Sequence, residues 1–285
     1  MSIIVTGATG RLGRLVVEAL LRRGVPAEKI VATGRSVDGI KDLADRGVAV
    51  LRADFADPVS LTQAFAGAEK VLLVSSNEVG QRAAQHRNVI DAAKAAGVAL
   101  LAYTSIAHAA TSGLRLAVEH TETEQYLRSS GVPFVLLRNS WYFENYTEQL
   151  PTILQHRAIL GSAAQGRASF AARADYAEAA AVVLSTAGHA GQVYELGGEQ
   201  ALSLPELAAE ISTVTGVEVV YQDLPAVTFA EVLVGRGLPE SFAGILADND
   251  LGVGRGELLV ETGDLGRLLG RSATTVIEAI VTAQP

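Results

Sequence analysis

Three glycines near the start of the chain, spaced G-x-x-G-x-x-G, are the residues whose type and spacing point most directly to chemistry. Gly7, Gly10 and Gly13 follow an apolar run at residues 3–5 and lead into a helical pattern over Arg14–Arg23. A turn from a strand into a helix N-terminus binds anions, because the first backbone N–H groups of a helix have no partner inside it. Glycines let such a turn approach a phosphate closely. A tight turn without a ligand is the alternative.

The residues after the second predicted strand indicate which dinucleotide this turn would hold. NAD-binding folds usually carry an acid there, whereas this chain has Gly34, Arg35 and Ser36. A guanidinium can bind a 2′-phosphate in a bidentate way, so we expect NADPH rather than NADH, with Arg11 approaching the same phosphate. Alternatively, Arg35 is a solvated surface residue and Ser36 a helix cap. Asp54 could accept a hydrogen bond from the adenine amino group or serve as an N-cap.

Candidate acid–base groups are few. The usual catalytic pair of short-chain dehydrogenases is a tyrosine with a lysine four residues later, but the last lysine of the chain is Lys94, so no such pair exists beyond it. Ser105 stands where a catalytic serine would follow the fifth strand, and His120 lies further along. His120 could bond the nicotinamide ribose or donate a proton. It could equally be a surface histidine balanced by Glu124 one helical turn later.

The absence of a tyrosine–lysine pair favours a hydride acceptor whose reduction needs no strong acid. Reducing a quinone or a conjugated cation gives a delocalised anion or a neutral molecule, which water can protonate, so proximity and orientation supply most of the catalysis. Trp141, Tyr142 and Phe143 follow the sixth strand, at the nicotinamide end, and suit a flat apolar acceptor. Packing between lobes is the alternative for each of them.

The elements that must position these residues alternate between strand and helix over the first two-thirds of the chain. The predicted strands are residues 3–5, Ile30–Gly34, Val48–Arg52, Lys70–Val74, Leu100–Thr104 and Phe134–Leu137. Further predicted helices run from Asp57–Pro58 to Gly67, over Gln81–Ala96 and over Arg115–Ser130. This alternation predicts a Rossmann-type, doubly wound parallel sheet of the α/β class. The strands read as apolar throughout, as expected when both faces are buried.

After Arg138 the regular alternation of strands and helices ends. An alanine-rich helix over Arg173–Thr186 and a strand at Val193–Leu196 return to the sheet, and a capping box at Ser203 begins a helix that ends at Gly216. The remainder reads as helical pieces without strand–helix alternation. We therefore expect an NADP-binding domain of residues 1–140 plus about 173–200. A smaller, mostly helical substrate-binding lobe, about 141–172 plus 201–285, would pack over the carboxyl edge of the sheet.

Composition narrows the class of protein. The chain has 285 residues, a formal net charge of −8, a mean hydropathy of +0.27 and no cysteine. The acidic balance argues against nucleic acid or an anionic membrane as a partner, and the missing cysteines exclude disulfides, thiolate catalysis and Cys-ligated metals. The chain runs straight into its first strand, and no apolar run is long enough to span a bilayer. We expect a soluble cytoplasmic protein without a metal cofactor.

Several segments occur together in an order typical of one family. They are Thr6–Gly13, Ser75–Arg82, Gln85–Ile90, Ala102–Ser105, Leu137–Tyr142, Arg173–Ala177 and Val193–Gly198. On these motifs the chain closely resembles the bacterial type 2 NADPH:quinone oxidoreductases and the related triphenylmethane reductases. Both belong to the NmrA-like branch of atypical short-chain dehydrogenases. The likeness runs nearly end to end, although Gly34 departs from the bulkier residues usual before the arginine.

This resemblance implies flavin-free hydride transfer from NADPH to quinones. By position, the cofactor would contact Gly7, Ala8, Thr9, Gly10, Arg11, Leu12, Arg35, Ser75, Ser76, Asn77, Arg82, Asn139, Ser140, Trp141 and Tyr142. The substrate would contact Tyr103, Trp141, Tyr142 and Phe143. Some NmrA-like proteins bind NADP and regulate transcription without turnover, so a redox sensor is the alternative function. The oligomeric state is left open, a homodimer included.

Overall fold

The chain forms two compact units, each assembled from separate stretches of sequence. The computed structural model describes residues 2–284. The first unit comprises the chain up to Ile106 together with Glu119–Asn139 and Arg173–Tyr194. The second comprises Ala107–Val118, Ser140–Ala172 and the chain from Glu195 onward.

The helices and strands are as follows. The elements up to the end of the sixth strand are β1 (Ile3–Val5), α1 (Arg11–Arg22), β2 (Ile30–Gly34), α2 (Lys41–Asp45), β3 (Ala49–Arg52), α3 (Pro58–Ala64), β4 (Lys70–Leu73), α4 (Arg82–Ala96), β5 (Leu100–Ile106), α5 (Arg115–Ser130) and β6 (Phe134–Asn139). Those that follow are α6 (Glu144–Thr147), α7 (Leu150–His156), β7 (Ala158–Gly161), β8 (Arg167–Ala168), α8 (Arg173–Ser185), β9 (Val193–Leu196), β10 (Leu202–Ser203), α9 (Leu204–Thr215), β11 (Val220–Asp223), α10 (Ala226–Gly235), α11 (Glu240–Gly254), α12 (Asp264–Leu269) and α13 (Val276–Ala283).

A seven-stranded parallel sheet of Rossmann-like topology organises the first unit. Its strand order is β3-β2-β1-β4-β5-β6-β9. The central residue Ile4 is in register with Val31 of β2 on one side and Val71 of β4 on the other. The strand order reverses between β1 and β4, and ligands of open α/β sheets bind at such a reversal, beyond the carboxyl ends of the strands. The predicted fold class is confirmed.

Apolar side chains of the central strands form the core of this unit. One buried cluster joins Ile4, Leu73 and Tyr103 of the sheet to Leu61 of α3 and Val89 of α4. Their burial is the main term that stabilises the sheet, at about 25 cal/mol for each Å² of apolar surface removed from water.

The edge strand β3 departs from the expectation that every strand is buried on both faces. Three of its four residues are exposed and the fourth is half-buried. The expectation was wrong for this strand because β3 has a neighbour, β2, on one side only.

Helix α1 begins three residues earlier than its sequence pattern predicts, directly after Gly10. It buries Val16, Val17 and Leu20 and packs on α8 of the same unit. The expected start was placed after Gly13 because glycine is a poor helix former, but Gly13 lies in the first turn of the helix. The early start brings the helix N-terminus directly to the glycine turn.

The second unit is mostly helical but contains two small sheets. Strand β11 pairs in parallel with β7, and β10 pairs antiparallel with β8. The expectation of helical pieces alone after Gly216 was therefore wrong at β11. Its sequence, Val220–Asp223, carries two polar residues among four and is largely exposed, so no apolar run marks it as a strand.

Two features of residues 2–284 bear on the class of protein. None of the helices in this range has both the length and the apolar character needed to cross a membrane. Nor does this range contain a group of three or more His, Cys, Asp or Glu side chains placed to hold a metal ion.

Candidate functional site

The glycine turn joins β1 to α1 through backbone hydrogen bonds. Gly7 has a φ of 60°, in the left-handed region that favours glycine. The Ala8 N–H donates to the Thr33 carbonyl at 2.8 Å, and the Gly10 N–H donates to the Gly7 carbonyl at 2.9 Å. Gly10 is the N-cap of α1 and provides no side-chain cap. The turn therefore presents a helix N-terminus suited to an anion.

The two later glycines of the turn meet different surroundings. A Cβ on Gly13 would lie 2.7 Å from the Gly7 carbonyl carbon and 2.9 Å from Ala8 Cα, both backbone atoms. A Cβ on Gly10 would approach only the Gly7 carbonyl oxygen, at 3.3 Å. Gly13 is thus required for the helix to lie on the turn, whereas Gly10 keeps the cavity side of the turn open.

A cavity of about 480 Å³ lies over this turn, at the reversal of strand order. It lies wholly within the first unit. It is lined by Gly7, Thr9, Gly10, Arg11, Leu12, Gly13, Gly34, Arg35, Ala53, Asp54, Phe55, Val74, Ser75, Ser76, Asn77, Glu78 and Gln85. The fold thus brings together most of the residues that the sequence assigns to the cofactor. Ala8, also assigned to it, is fully buried beneath the turn.

Arg35 follows β2 at the rim of this cavity. Its side chain is 62% exposed and its Nη1 pairs with the carboxylate of Glu78. The preceding Gly34 abuts Thr9, since a Cβ at residue 34 would lie 2.6 Å from Thr9 Cγ2. The glycine before the arginine therefore has a physical reason in this chain: a larger residue would displace a side chain of the turn.

Asp54 lines the same cavity and also orders its own loop. Its Oδ1 accepts a hydrogen bond from the Ala56 N–H at 2.9 Å, as in an Asx turn. The N-cap of α3 is Asp57, whose carboxylate accepts from the Val59 and Ser60 N–H groups. Asp54 is thus a cavity residue with its second carboxylate oxygen available to a ligand edge.

The loop after β4 that lines the cavity is held by two buried side chains of α4. The Ser76 N–H donates to His86 Nε2 at 2.9 Å, and the Ser76 carbonyl accepts from Arg82 Nε at 2.7 Å. Only 4% of Arg82 is exposed, and burial lowers the pKa of its guanidinium. Arg82 therefore supports the loop from behind, on the side away from solvent.

Hydrogen bonding fixes the form of His86. Thr123 Oγ1 donates to the Glu119 carbonyl, so it accepts from His86 Nδ1, at 3.0 Å. His86 Nε2 is then unprotonated and accepts from the Ser76 N–H. Burial, with a smaller contribution from the nearby Arg82 charge, lowers the pKa of His86 to about 3. This histidine is a neutral, fixed part of the scaffold beneath the cavity.

The candidate acid His120 lies in the core of the first unit and bonds a second buried ring. Its Nδ1 is 2.6 Å from the hydroxyl of Tyr103. His120 is 4% exposed and Tyr103 fully buried. Burial holds the pKa of His120 well below its usual range and raises the pKa of Tyr103 above its own. Neither group is poised to exchange protons near neutral pH, so the geometry favours a structural role for the pair.

Ser105 is likewise engaged within the first unit. Its Oγ donates to Glu124 Oε1 at 2.7 Å, and Arg138 binds both oxygens of the same carboxylate, at 2.9 and 2.6 Å. All three side chains are largely removed from solvent. A buried carboxylate held by a bidentate arginine and a serine fixes the ends of β5 and β6 relative to α5.

Replacing the two candidate catalytic side chains tests these roles. We expect His120→Gln and Ser105→Ala each to lower kcat by less than about tenfold, whereas loss of a true general acid costs about 10²–10⁴-fold. Steady-state kinetics, normalised to the folded fraction by circular dichroism, measure the effect. A collapse of kcat by 10²-fold or more in a folded variant would make that residue an acid–base catalyst.

The buried histidine His86 also predicts how stability depends on pH. The unfolded chain takes up a proton near pH 6.5 but the folded chain only near pH 3, so the free energy of unfolding falls as pH drops through this interval. The slope is up to about 1.4 kcal/mol per pH unit. Burial raises the pKa of Asp250 to about 6, so the contribution of this carboxyl to the free energy of unfolding increases as the pH falls below 6.

Comparing the wild type with His86→Gln isolates the histidine term, because Asp250 is present in both. Urea unfolding at pH 7, 6, 5 and 4 measures the free energy of unfolding of both proteins. We expect the difference between these two free energies to become smaller as the pH falls. A difference independent of pH would show that His86 has the same pKa in the folded and the unfolded chain.

The three aromatic residues predicted after the sixth strand, Trp141, Tyr142 and Phe143, belong to the second unit. Phe143 is 3% exposed and stacks on Phe170 with ring centroids 5.8 Å apart, and Tyr146 meets Phe170 edge to face. Trp141 and Tyr142 are half-buried. Phe143 therefore has a packing role within its own unit, whereas Trp141 and Tyr142 are less completely buried.

The remaining assigned residues fall on both units. Asn139 ends β6 in the first unit and is 5% exposed. Ser140 begins the second unit, where its Oγ donates to the Leu258 carbonyl at 2.7 Å. The cavity over the glycine turn is lined by the first unit alone, so a nicotinamide-side role for Asn139–Tyr142 stays a prediction.

Comparison with known proteins defines the family. The model of the NmrA-like family matches residues 1–253. The chain belongs to the NmrA-like family. Quinone oxidoreductase 2 of Escherichia coli K12 is 50% identical over 278 residues, which cover 98% of this chain and 97% of that protein.

Two solved structures superpose closely on this chain. One is the E. coli NADPH-dependent quinone oxidoreductase in complex with NADPH, with a TM-score of 0.95 and 50% identity over 98% of this chain and 99% of that one. The other is the Citrobacter sp. triphenylmethane reductase in complex with NADP(H), with a TM-score of 0.94 and 38% identity over 99% of this chain and all of that one. Sequence similarity and fold therefore agree over nearly the whole length.

Sequence reasoning missed two polar residues of the cavity in this NmrA-like chain, Glu78 and Gln85. Both lie in segments that carry the family resemblance, but neither has a spacing that announces a contact with Arg35 or Ser76. The available signal was the charge of Glu78 in the loop that follows β4, at the edge of the sheet where ligands bind.

Proposed function

We propose that this NmrA-like protein reduces quinones with NADPH by direct hydride transfer, without a flavin. The observation that carries the proposal is the cavity in the first unit, which unites an uncapped helix N-terminus, the glycine turn and an arginine after β2. The NmrA-like relatives support it, since the 50% identical E. coli protein is named a quinone oxidoreductase and its solved structure contains NADPH.

The residues of the cavity fit a phosphorylated dinucleotide. Gly10 leaves the turn open where a pyrophosphate would meet the N-terminus of α1, and Gly7, Thr9, Arg11 and Leu12 line the same wall. Arg35 presents a guanidinium at the rim for the 2′-phosphate. Ser75, Ser76 and Asn77 also line this cavity, Ala8 is buried in the turn, and Arg82 holds the loop through the Ser76 carbonyl.

Bound NADPH supplies the hydride, and the protein contributes binding and orientation. Asn139, Ser140, Trp141 and Tyr142 are proposed to flank the nicotinamide, with Trp141 and Tyr142 also contacting a flat acceptor. For Tyr103 and Phe143, burial favours supporting the acceptor site through their neighbours. His120 and Ser105 hold the core of the first unit, and solvent delivers the proton to the reduced quinone.

The division of labour follows the two units. We propose that the first unit binds NADPH and that the second unit binds the acceptor, since it contains an apolar aromatic cluster around Phe170. A quinone is planar and electron-poor, so it needs orientation more than a strong acid.

A steady-state assay with the purified protein tests the function. NADPH oxidation, followed at 340 nm with 1,4-benzoquinone and 1,4-naphthoquinone, should be enzyme-dependent and stronger than with NADH. The absorbance of the purified protein near 450 nm reports any flavin. Tight NADPH binding with no quinone turnover would reject the proposal and favour the redox-sensor alternative.

A further inference from the structure

We propose that Glu78 is a specificity-determining residue that competes with the 2′-phosphate of NADPH for Arg35. The carboxylate of Glu78 pairs with the guanidinium of Arg35 at the rim of the cavity. A carboxylate in this place occupies the group that recognises the extra phosphate. The inference rests on the proposed NADPH site, because it concerns how that site distinguishes NADPH from NADH.

Polar contacts to both carboxylate oxygens hold the side chain of Glu78 in its position. Its Oε1 contacts Arg35 and its Oε2 accepts from Gln85 Nε2 at 2.6 Å. Gln85 Oε1 in turn accepts from Ser76 Oγ at 2.6 Å. Gln85 is 9% exposed and lies on α4, which also holds the loop through His86. A chain of polar contacts thus runs from Arg35 through Glu78 and Gln85 into the cofactor loop.

The negative charge of Glu78 affects the binding of a 2′-phosphate at Arg35. A 2′-phosphate bound to Arg35 would bring its negative charge within a few ångströms of Glu78, and like charges that close repel. NADPH must therefore displace Glu78 from Arg35 or bind with that repulsion. NADH has no phosphate there, so Glu78 can keep its pair with Arg35. Glu78 therefore lowers the affinity for NADPH but not that for NADH, and so reduces the preference for NADPH that Arg35 provides.

The displaced carboxylate keeps a partner. Gln85 Nε2 holds the second oxygen of Glu78, and this contact does not involve Arg35. Exchange of the carboxylate for a phosphate on Arg35 thus breaks one ion pair and leaves the loop attached to α4. The exchange is a side-chain motion at a half-exposed site, where Glu78 is 35% exposed.

The test is cofactor binding to the Glu78→Gln variant, which keeps the size of the side chain and removes its charge. We expect the Kd for NADPH to fall about three- to tenfold at low ionic strength, while the Kd for NADH changes less than twofold. Titration calorimetry with NADPH, NADH, 2′,5′-adenosine bisphosphate and 5′-AMP measures this without any turnover. The gain should shrink in high salt, because the repulsion is partly screened.

Two controls separate competition at Arg35 from a general effect of net charge. Asp38→Asn removes another exposed carboxylate of the same unit, one paired with Lys41, and should leave the NADPH to NADH ratio unchanged. In an Arg35→Ala background the ratio should respond much less to Glu78→Gln, because no guanidinium remains to compete for.

The outcomes are distinct. Weaker NADPH binding in Glu78→Gln, an equal change for NADH, or an undiminished effect without Arg35 would each overturn the competition. The binding assay stands apart from the proposed function. A protein that binds both cofactors as described but reduces no quinone would refute the quinone reductase while leaving the role of Glu78 intact.

Discussion

Arg35→Ala is expected to raise the KM for NADPH about 10- to 100-fold while the KM for NADH changes by less than about threefold. The reason is that a charge-assisted, bidentate contact to the 2′-phosphate is lost, and NADH never makes it. The variant also leaves Glu78 without its cation at the rim of the cavity. Steady-state kinetics with both cofactors and a fixed naphthoquinone concentration measure the two values.

Arg35→Lys is the matched control for this prediction. It keeps one positive charge but loses the planar fork, so NADPH binding should fall between the wild type and Arg35→Ala. Equal losses for NADPH and NADH in Arg35→Ala would remove Arg35 from the phosphate site. The side chain is mostly exposed, so neither variant should alter the melting temperature appreciably.

Gly13→Ala is expected to destabilise the protein by about 1–3 kcal/mol or more, because the new methyl group would overlap backbone atoms of Gly7 and Ala8. Backbone atoms cannot rotate away as a side chain can, so α1 must shift off the turn. Thermal unfolding followed by circular dichroism should show a Tm lower by about 5 °C or more, and NADPH affinity should fall with it.

Gly10→Ala separates the fold from the ligand in the same turn. Its methyl group would meet only the Gly7 carbonyl oxygen at 3.3 Å, so stability should change little. It would stand where the pyrophosphate approaches α1, so binding of both NADPH and NADH should weaken about tenfold or more. Normal binding in folded Gly10→Ala would move the pyrophosphate away from this turn.

Much of the cofactor-binding unit could be predicted because its signals are local. The glycine spacing, the apolar runs and the helix ends around Gly97 and Gly131 each lie within a few residues. They are enough to predict a parallel sheet, its reversal point and a helix N-terminus at the turn. The cavity could be anticipated for the same reason, since the ends of parallel strands meet at one edge.

The partners of buried polar groups could not be predicted in this way. Ser105 and His120 have spacings that suit catalysis, but their contacts with Glu124 and Tyr103 link residues 19 and 17 positions apart. The pair of Arg35 and Glu78 spans 43 positions and two different loops. Such contacts follow from how helices lie on the sheet, and no local pattern encodes them.

The small strands of the second unit were also beyond local signals. Strand β11 is short and exposed, and β7 follows a helix end at Arg157 whose φ of 53° gives no sequence cue such as glycine. Pairing between strands about 60 residues apart decides both. Composition could indicate a mostly helical region but not these crossings of the chain.

The close approach of Gly34 to Thr9 sets a limit on engineering this enzyme for the cheaper coenzyme. Redesign toward NADH commonly introduces an acid at the end of the second strand, and residue 34 would be one place for it. Here any side chain at that position collides with a branched side chain of the phosphate loop. A library that varies residue 34 should therefore vary Thr9 with it, because a side chain at residue 34 needs Thr9 to move. The glycine turn and the end of β2 therefore have to be redesigned together in this chain.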